Sequence, residues 1–271
     1  MKLSIITINF NNRNGLLKTI ESVISQTFKD YEWIVIDGGS TDGSRELIER
    51  FADHFSYWVS EPDKGVYNAM NKGIRRAKGD YLQFLNSGDW LFDDTSLERV
   101  FSHSFTSDIV YGDLFFVNNK GEMKKSCFPN PLTLRYFYRR SLGHNASFIR
   151  RDLFQKNLYD ERFKIVSDWA FFLEQALNNC SFEYVGEIVT CFDTNGISCV
   201  NKELVSQERE TVLNELIPEM LVQDFKMMDE METVLGKNHV RKVLEFGGKK
   251  RFYHKVITVF FSFLEKLDRI L

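Results

Sequence analysis

The chain lacks the features that define several large classes of protein. Its four cysteines are scattered among 271 residues and form no Cys-x-x-Cys pair, which excludes a zinc ribbon and favours reduced thiols. No apolar run approaches the roughly 20 residues needed to cross a bilayer. The formal charge of −3 is not the basic excess of a general nucleic-acid-binding protein, so we expect no nucleic-acid partner. No signal-like segment precedes the first apolar strand pattern, which predicts a cytoplasmic chain.

Two glycine-based nucleotide motifs are also missing. No Gly-x-Gly-x-x-Gly sequence follows the first predicted strand, and no Gly-Lys-Ser/Thr phosphate loop occurs. These absences argue against hydride transfer with a dinucleotide and against P-loop nucleotide hydrolysis. The apolar share of 43%, with 25 phenylalanines, is enough for a full core and excludes disorder as the main state.

The first hundred residues alternate strand patterns with helical patterns. Apolar residues predict strands at Leu3 to Ile8, Trp33 to Ile36, Tyr57 to Ser60 and Tyr81 to Leu85. Between these strands, apolar residues recur at helical spacing. Such alternation predicts a mostly parallel sheet covered by helices on both faces, as in a Rossmann-like nucleotide-binding half.

The pattern changes after Asp108. Ile109 to Val117, followed by a polar turn, predicts antiparallel strands. We predict further extended segments at Ala146 to Ile149 and Phe182 to Phe192, and a helix from Asp168 to Leu177. The fold class is therefore α/β with a mixed central sheet. We predict a catalytic domain over 1–200, with a nucleotide-binding half (1–100) and an acceptor half (101–200), and a helical C-terminal extension over 201–271.

Two predicted strands end in carboxylates. The fourth strand opens into Asn86-Ser87-Gly88-Asp89, where small residues would let a phosphate or metal approach and Asp89 offers the hard oxygen that Mg²⁺ or Mn²⁺ prefers. Asp37 ends the second strand before a glycine-rich turn and could accept hydrogen bonds from a base or ribose. An ordinary turn or helix cap is the alternative at both places.

Three further polar groups are candidates with structural alternatives. Asn71 and Lys72 belong to a polar stripe at the start of a helix, which could also be a solvated helix face. Asp168 opens a helix, as a residue favoured by the helix dipole or as a general base. His144 precedes a strand and could be a structural histidine.

Taken together and in order, these segments resemble the family 2 glycosyltransferases of the GT-A fold, which build bacterial polysaccharides and related glycans. The resemblance covers about the first 200 residues. The segments that carry it are SIITINFN from Ser4, QTF from Gln26, VIDGGSTDGS from Val35, DKGVYNAMNKG from Asp63, FLNSGD from Phe84, GHNAS from Gly143, SDW from Ser167 and GIS from Gly196.

The resemblance implies a role for each matching residue. It implies that Asp168 is the catalytic base and that Asp89 holds a divalent metal, Mn²⁺ or Mg²⁺. The donor-binding residues that it implies are Thr7, Asn9, Asp37, Asp63, Asn71, Lys72 and Ser87. The residues that it assigns to the acceptor or diphosphate region are His144, Trp169 and Ser198.

The implied activity is inverting transfer of a hexosyl or N-acetylhexosaminyl group from a nucleotide-diphosphate donor, a UDP-sugar, to a saccharide or polyprenyl-linked saccharide. Many relatives carry acids where this chain has Gly38, Asn86 and Gly88. We therefore expect a labile ion, held jointly by Asp89 and the phosphates of the donor. Two alternatives stay open: a catalytically silent nucleotide-sugar-binding or membrane scaffold protein, and a sugar nucleotidyltransferase.

The C-terminal segment 237–271 is locally basic. It holds nine lysines and arginines against three acids, beside a broad apolar helical face. One hypothesis is a helix lying on an anionic membrane, which would make the protein peripheral on the inner face of the membrane. The alternative is a helix packed on the catalytic domain or on the partner of a homodimer.

Overall fold

The computed structural model describes residues 1–194 and 201–235. The chain divides into two compact units, Met1–Leu216 and Ile217–Leu271. Ser198 and the basic segment 237–271 lie outside the described residues, so the hypotheses about them stay predictions. The domain boundary after residue 200 also stays a prediction. Within the described part, no helix is both long enough and apolar enough to cross a membrane.

Four parallel strands form the first half of the sheet, and all four were predicted. Their bounds are β1 Leu3–Asn9, β2 Tyr31–Asp37, β3 Tyr57–Ser60 and β4 Tyr81–Phe84. They lie in the order β3-β2-β1-β4. Every residue of β1 is buried, which is typical of a parallel strand covered on both faces.

The second half of the sheet reverses strand direction, as predicted from the change of pattern. Its strands are β5 Trp90–Leu91, β6 Ile109–Val117, β7 Met123–Ser126, β8 Ser147–Arg150 and β9 Phe182–Asp193. The order continues as β4-β8-β6-β9-β5, with β7 paired to β6. Strand β8 is antiparallel to β4 and β6, whereas β9 is parallel to β6. The sheet of the described part is therefore mixed.

Helices cover the sheet. In the first unit they are α1 Arg13–Ile24, α2 Ser44–Arg50, α3 Val66–Arg76, α4 Ser96–Ser102, α5 Leu134–Arg139, α6 Ser167–Leu177 and α7 Lys202–Leu216. Helix α8, Glu219–Leu235, lies in the second unit. Helix α3 packs tightly on β1. A Cβ at Gly73 of α3 would collide with the side chain of Ile6 in β1, so the close approach requires glycine there. The predicted helix at Asp168 is confirmed and begins one residue earlier.

One predicted strand differs at its start. Residues His144–Ala146 form a 3-10 turn rather than the beginning of an extended segment, and β8 follows it directly. The amide of Gln83 donates to the carbonyl of Asn145, which ties this turn to the middle of β4. The turn, the start of α6 and the carboxyl ends of β1, β2 and β4 supply the candidate site.

Candidate active site

Asp37, at the end of β2, is buried and fully bonded to the protein. Its Oδ1 accepts hydrogen bonds from Asn9 Nδ2 (2.7 Å) and Ser40 Oγ (2.6 Å). Its Oδ2 accepts from the backbone N–H of Ser40 (2.9 Å) and from Ser60 Oγ (2.6 Å). Burial raises the pKa of Asp37, but these hydrogen bonds outweigh burial and lower it below 3.8. Asp37 therefore organises the loop at the end of its strand.

Two predicted donor residues and one unpredicted aromatic lie beside Asp37. The side-chain Oδ1 of Asn9 is buried and has no hydrogen-bond partner in the described part of the chain. A Cβ at Gly38 would lie 2.5 Å from Asp63 Oδ2, so the Asp63 carboxylate occupies the space next to this glycine. The same Cβ would lie 3.1 Å from the ring of Phe10, which is 64% exposed. An exposed aromatic ring thus lies at the strand end, where sequence reasoning did not single it out.

Of the seven predicted donor residues, only Ser87 lines the cleft described below, and three of the others make structural contacts elsewhere. The Thr7 hydroxyl is buried and accepts a hydrogen bond from the indole of Trp33. The Asn71 amide bonds to the main chain of Tyr159 through both its oxygen and its nitrogen. Lys72 pairs with Glu61 at 2.7 Å. The donor contacts implied for these residues stay predictions.

Asp89 follows β4 and differs from Asp37 in its surroundings. Gly88 adopts φ 106°, a conformation that glycine tolerates, and the Asp89 side chain turns inward. Its two oxygens accept from the Asp193 N–H (3.0 Å) and from Asn145 Nδ2 (3.1 Å). Burial raises the pKa of Asp89 to about 7, and the nearby His144 and these two hydrogen bonds offset burial only in part.

A second candidate oxygen ligand belongs to Asn86, three residues before Asp89 in the same loop. The Oδ1 of Asn86 is buried and has no hydrogen-bond partner among the residues described. Over 1–194 and 201–235, no group of three or more His, Cys, Asp or Glu side chains could hold a metal by itself. A buried carboxylate whose negative charge is only partly compensated and an unpaired amide oxygen nevertheless suit a divalent cation that takes its remaining ligands from phosphates and water.

Asp168, in the first turn of α6, is held by two side chains. His144 Nδ1 lies 2.7 Å from its Oδ2, and Tyr67 Oη donates to its Oδ1 at 2.8 Å. Burial raises the pKa of Asp168, but these contacts outweigh burial and lower it, so the carboxylate is ionised at neutral pH. Burial lowers the pKa of His144, and Asp168 reverses this and raises it.

The histidine also connects Asp168 to the loop after β4. When His144 Nδ1–H donates to Asp168, its Nε2 is free to accept, and the Asn86 Nδ2 lies 3.2 Å from it. Asn86, His144 and Asp168 therefore form a continuous chain from the candidate metal ligands to the candidate base.

Two cavities meet at Asp168. The first, of about 440 Å³, contains Ser87, Asp89, His144 and Asp168 in its wall, together with residues from α3 and β9 and the residue that caps α1. The second, of about 710 Å³, lies on the side of α5 and α7 and includes Trp169. We call the first the donor cleft, because it contains the predicted donor-binding residue Ser87, and the other the second cavity. Their shared lining residues are His144, Ile165, Asp168 and Phe192.

The structure adds residues that sequence reasoning missed. Tyr67 donates a hydrogen bond to Asp168, and Asn145 donates one to Asp89. Both residues lie within segments singled out from the sequence. Asp193 ends β9 and lines the donor cleft. The rule that identified Asp37 and Asp89, an acid at the end of a strand, would also have identified Asp193.

The sequence profile described as Glycosyl transferase family 2 matches residues 4–154, more than half of the chain. The chain belongs to glycosyltransferase family 2. A relative called an uncharacterized glycosyltransferase of Mycobacterium tuberculosis is 36% identical over 200 residues, which cover 72% of this chain and 76% of the relative. A PGL/p-HBAD biosynthesis glycosyltransferase of Mycobacterium bovis is 32% identical over 175 residues, covering 62% and 67% respectively.

Solved structures show that the fold is GT-A. S. aureus TarS 1-349 in complex with UDP has a TM-score of 0.62 at 18% identity, over 92% of this chain and 75% of that one. The match to a longer TarS chain covers only 37% of it. The mannosyltransferase PcManGT from Pyrobaculum calidifontis, in complex with GDP-Man and Mn²⁺, has a TM-score of 0.56 at 13% identity, over 95% and 83%. At these identities the similarity extends to the fold alone.

Proposed function

We propose that the protein transfers a sugar, with inversion at the anomeric carbon, from a UDP-sugar to an acceptor hydroxyl during polysaccharide or glycolipid assembly. The observation that carries the proposal is the place of Asp168, an ionised carboxylate in the wall common to two cavities. One cavity would take the donor and the other the acceptor, so the carboxylate would meet the attacking hydroxyl.

The ends of β1 and β2 supply the nucleotide-binding part of this proposal. The exposed ring of Phe10 offers a face on which a base could stack, and the free Oδ1 of Asn9 offers a hydrogen-bond acceptor. Asp63 lies next to them and would bind the ribose or the base. TarS has been solved with UDP-GlcNAc and PcManGT with GDP-Man. Of these two nucleotides, we propose that UDP carries the donor sugar of this protein.

The loop after β4 would hold the diphosphate and the metal. Asp89 and the Asn86 amide oxygen would be the protein ligands of Mn²⁺ or Mg²⁺. The ion would neutralise negative charge on the departing diphosphate. Because the protein offers few ligands, we expect tight metal binding only when the nucleotide is present.

The protein's own residues perform the proton transfer. Asp168 takes the proton of the acceptor hydroxyl as its oxygen bonds to the anomeric carbon, while the bond from that carbon to the diphosphate oxygen breaks on the opposite face. Inversion follows from this opposed arrangement. Tyr67 and His144 fix the orientation of the carboxylate and keep it ionised.

A thermal-shift panel followed by a transfer assay tests the proposal. Nucleoside diphosphates and their common sugar conjugates are added with and without Mn²⁺, because a ligand at ~100 times its dissociation constant adds about 2.7 kcal/mol of stability. We expect a Mn²⁺-dependent shift for uridine nucleotides and sugar transfer to an acceptor panel. Donor binding without transfer to any acceptor would favour the scaffold alternative, and a shift for no donor would contradict the proposal.

A further inference from the structure

Arg209, on α7, is a half-buried cation with no carboxylate partner in the described part of the chain. Its guanidinium carbon lies 4.0 Å from the centre of the Trp169 ring, and its Nη2 donates to the carbonyl of Tyr138 at 2.8 Å. Within residues 1–194 and 201–235, no carboxylate forms an ion pair with it. Burial lowers its pKa. Buried charges in proteins are normally paired, because removing an isolated ion from water is costly.

The second cavity, which Arg209 lines, has an excess of positive charge. Arg140 also lines it and is exposed. Asp168 is the one acid among the described lining residues, and His144 and Tyr67 already bond to its carboxylate. The guanidinium of Arg209 retains N–H donors that its hydrogen bond to Tyr138 does not use. A negatively charged group in this cavity would therefore find an unpaired cation.

The rest of this wall is aromatic. Trp169 is stacked under Arg209, and its indole N–H donates to the carbonyl of Phe137 at 2.6 Å, which fixes the ring. Phe128 and Tyr136 also line the cavity. Aromatic rings present flat apolar surface to the C–H face of a sugar ring. The wall thus combines a face for a sugar with a site for an anion.

We propose that the acceptor carries an anionic group, a carboxylate or a phosphate, close to the attacking hydroxyl, and that Arg209 binds this group. The inference rests on the proposed function, because it assigns the second cavity to the acceptor. Arg209 acts as a specificity-determining residue that contacts the substrate but not the reacting atoms. Trp169 follows Asp168 in the chain, so an anion bound at Arg209 would be held close to the base.

Calorimetric titration of the whole chain in metal-free buffer with three small probes tests the idea. The probes are methyl β-D-glucuronide, which has a carboxylate, glucose 1-phosphate, which has a phosphate, and the neutral methyl β-D-glucoside. Since a charge-assisted hydrogen bond is about twice as strong as a neutral one, we expect at least one anion to bind about tenfold more tightly than the neutral glycoside. A glucuronide preference would indicate an acidic sugar, and a preference for the phosphate would indicate a phosphate-linked acceptor.

Two variants of Arg209 and one matched control make the test specific. In Arg209→Gln, the affinity for the anionic probe should fall to that for the neutral probe. Arg209→Lys should retain part of the preference, because lysine keeps the positive charge but lacks the planar pair of N–H donors of a guanidinium. The control is Arg45→Gln, which removes an arginine that is exposed on α2 and pairs with Glu49. It should leave all three affinities unchanged.

The outcomes separate this inference from the proposed function. Equal binding of the charged and neutral probes by the wild-type chain would overturn the inference, as would an anion preference that survives in folded Arg209→Gln. UDP with Mn²⁺ is titrated in parallel: it should bind to Arg209→Gln as to the wild type, and its failure to bind to any form would count against the proposed function alone. If Arg209→Gln does not fold, binding of the three probes to the wild type and to Arg209→Lys still tests the inference.

Discussion

Two buried carboxylates stand at the ends of neighbouring parts of the same sheet, and their surroundings are opposite. Asp37, the last residue of β2, accepts four hydrogen bonds, and its pKa is lowered despite burial. Asp89, after β4, accepts two, and burial raises its pKa to about 7. Two buried aspartates near the carboxyl ends of strands therefore differ in the sign of their pKa shift.

The difference separates a structural carboxylate from one that, under the proposed function, a metal ion would stabilise. The protein itself satisfies Asp37, so this residue can fix the loop to which it bonds. Burial leaves the negative charge of Asp89 poorly stabilised, so ionisation of this residue destabilises the folded protein. The unpaired Asn86 oxygen lies in the same loop. Residues kept at a cost to stability are common at functional sites. A cation would remove that cost.

Asp168 gives the largest expected effect, and it extends the comparison to a third buried carboxylate. Its pKa is lowered like that of Asp37, yet it lines the donor cleft like Asp89. We expect Asp168→Asn to lower the rate of transfer by about 10²- to 10⁴-fold, because the acceptor proton then has no base, while UDP binding changes by no more than a few fold. Initial rates and calorimetry measure the two quantities.

The control for that experiment is Asp94→Asn, which changes an exposed aspartate and should leave the rate unaltered. Substantial transfer by a folded Asp168→Asn protein would remove Asp168 from the role of base.

Asp89→Asn should stabilise the metal-free protein at pH 8, by roughly 2–4 kcal/mol. Because the folded-state pKa of Asp89 is raised from 3.8 to about 7, the folded chain binds more protons than the unfolded chain in that interval. The stability of the wild type should therefore fall as pH rises from about 4 to about 7, and the variant should lack this fall. The unpaired Oδ1 of Asn145 can accept from the new amide after rotation. Denaturant unfolding at several pH values measures the effect.

Asp37→Asn should have the opposite sign. We expect it to destabilise the protein by roughly 1–3 kcal/mol at pH 7, since an amide cannot accept all four hydrogen bonds. The folded-state pKa of Asp37 is depressed, so its contribution is present above the usual value of 3.8 and is lost as pH falls through the folded-state value. If Asp37→Asn and Asp89→Asn shift stability in the same direction at pH 8, this would contradict the claim that the charge of Asp37 stabilises the fold and that of Asp89 destabilises it.

Phe10→Ala should have the smallest effect on stability and a moderate one on binding. The ring is 64% exposed, so the free energy of unfolding should change by less than about 0.5 kcal/mol. Loss of a stacking surface should weaken UDP binding by about fivefold or more. Titration of UDP in the presence of Mn²⁺ measures this, with Phe10→Tyr as the conservative variant that should retain affinity.

The sequence was sufficient for most of the strands, though not for β5, and for part of the site. Alternating strand and helix patterns predicted β1 to β4, and the change of pattern after Asp108 predicted antiparallel strands, because local periodicity reflects which face of an element is buried. It also singled out Asp89, His144 and Asp168, which the fold brings together. Strand ends are predictable because the sheet collects them along one edge.

The surroundings of individual side chains could not be predicted in this way. Asn71 bonds to Tyr159, which is 88 residues away in the chain, and Asp89 bonds to Asp193, which is 104 residues away. Such contacts depend on tertiary packing, which no local pattern encodes. The same limit applies to Thr7, whose hydroxyl contacts the indole of Trp33 and does not line the donor cleft.

Titration of UDP into the wild type and into Asp89→Asn at pH 8, each with and without Mn²⁺, tests the central claim most directly. We predict that Mn²⁺ tightens UDP binding to the wild type by about tenfold or more and leaves the variant unchanged, since the variant lacks the carboxylate that would hold the ion. An equal gain from Mn²⁺ in both proteins, or no gain in the wild type, would contradict the assignment of Asp89 as the metal-binding carboxylate.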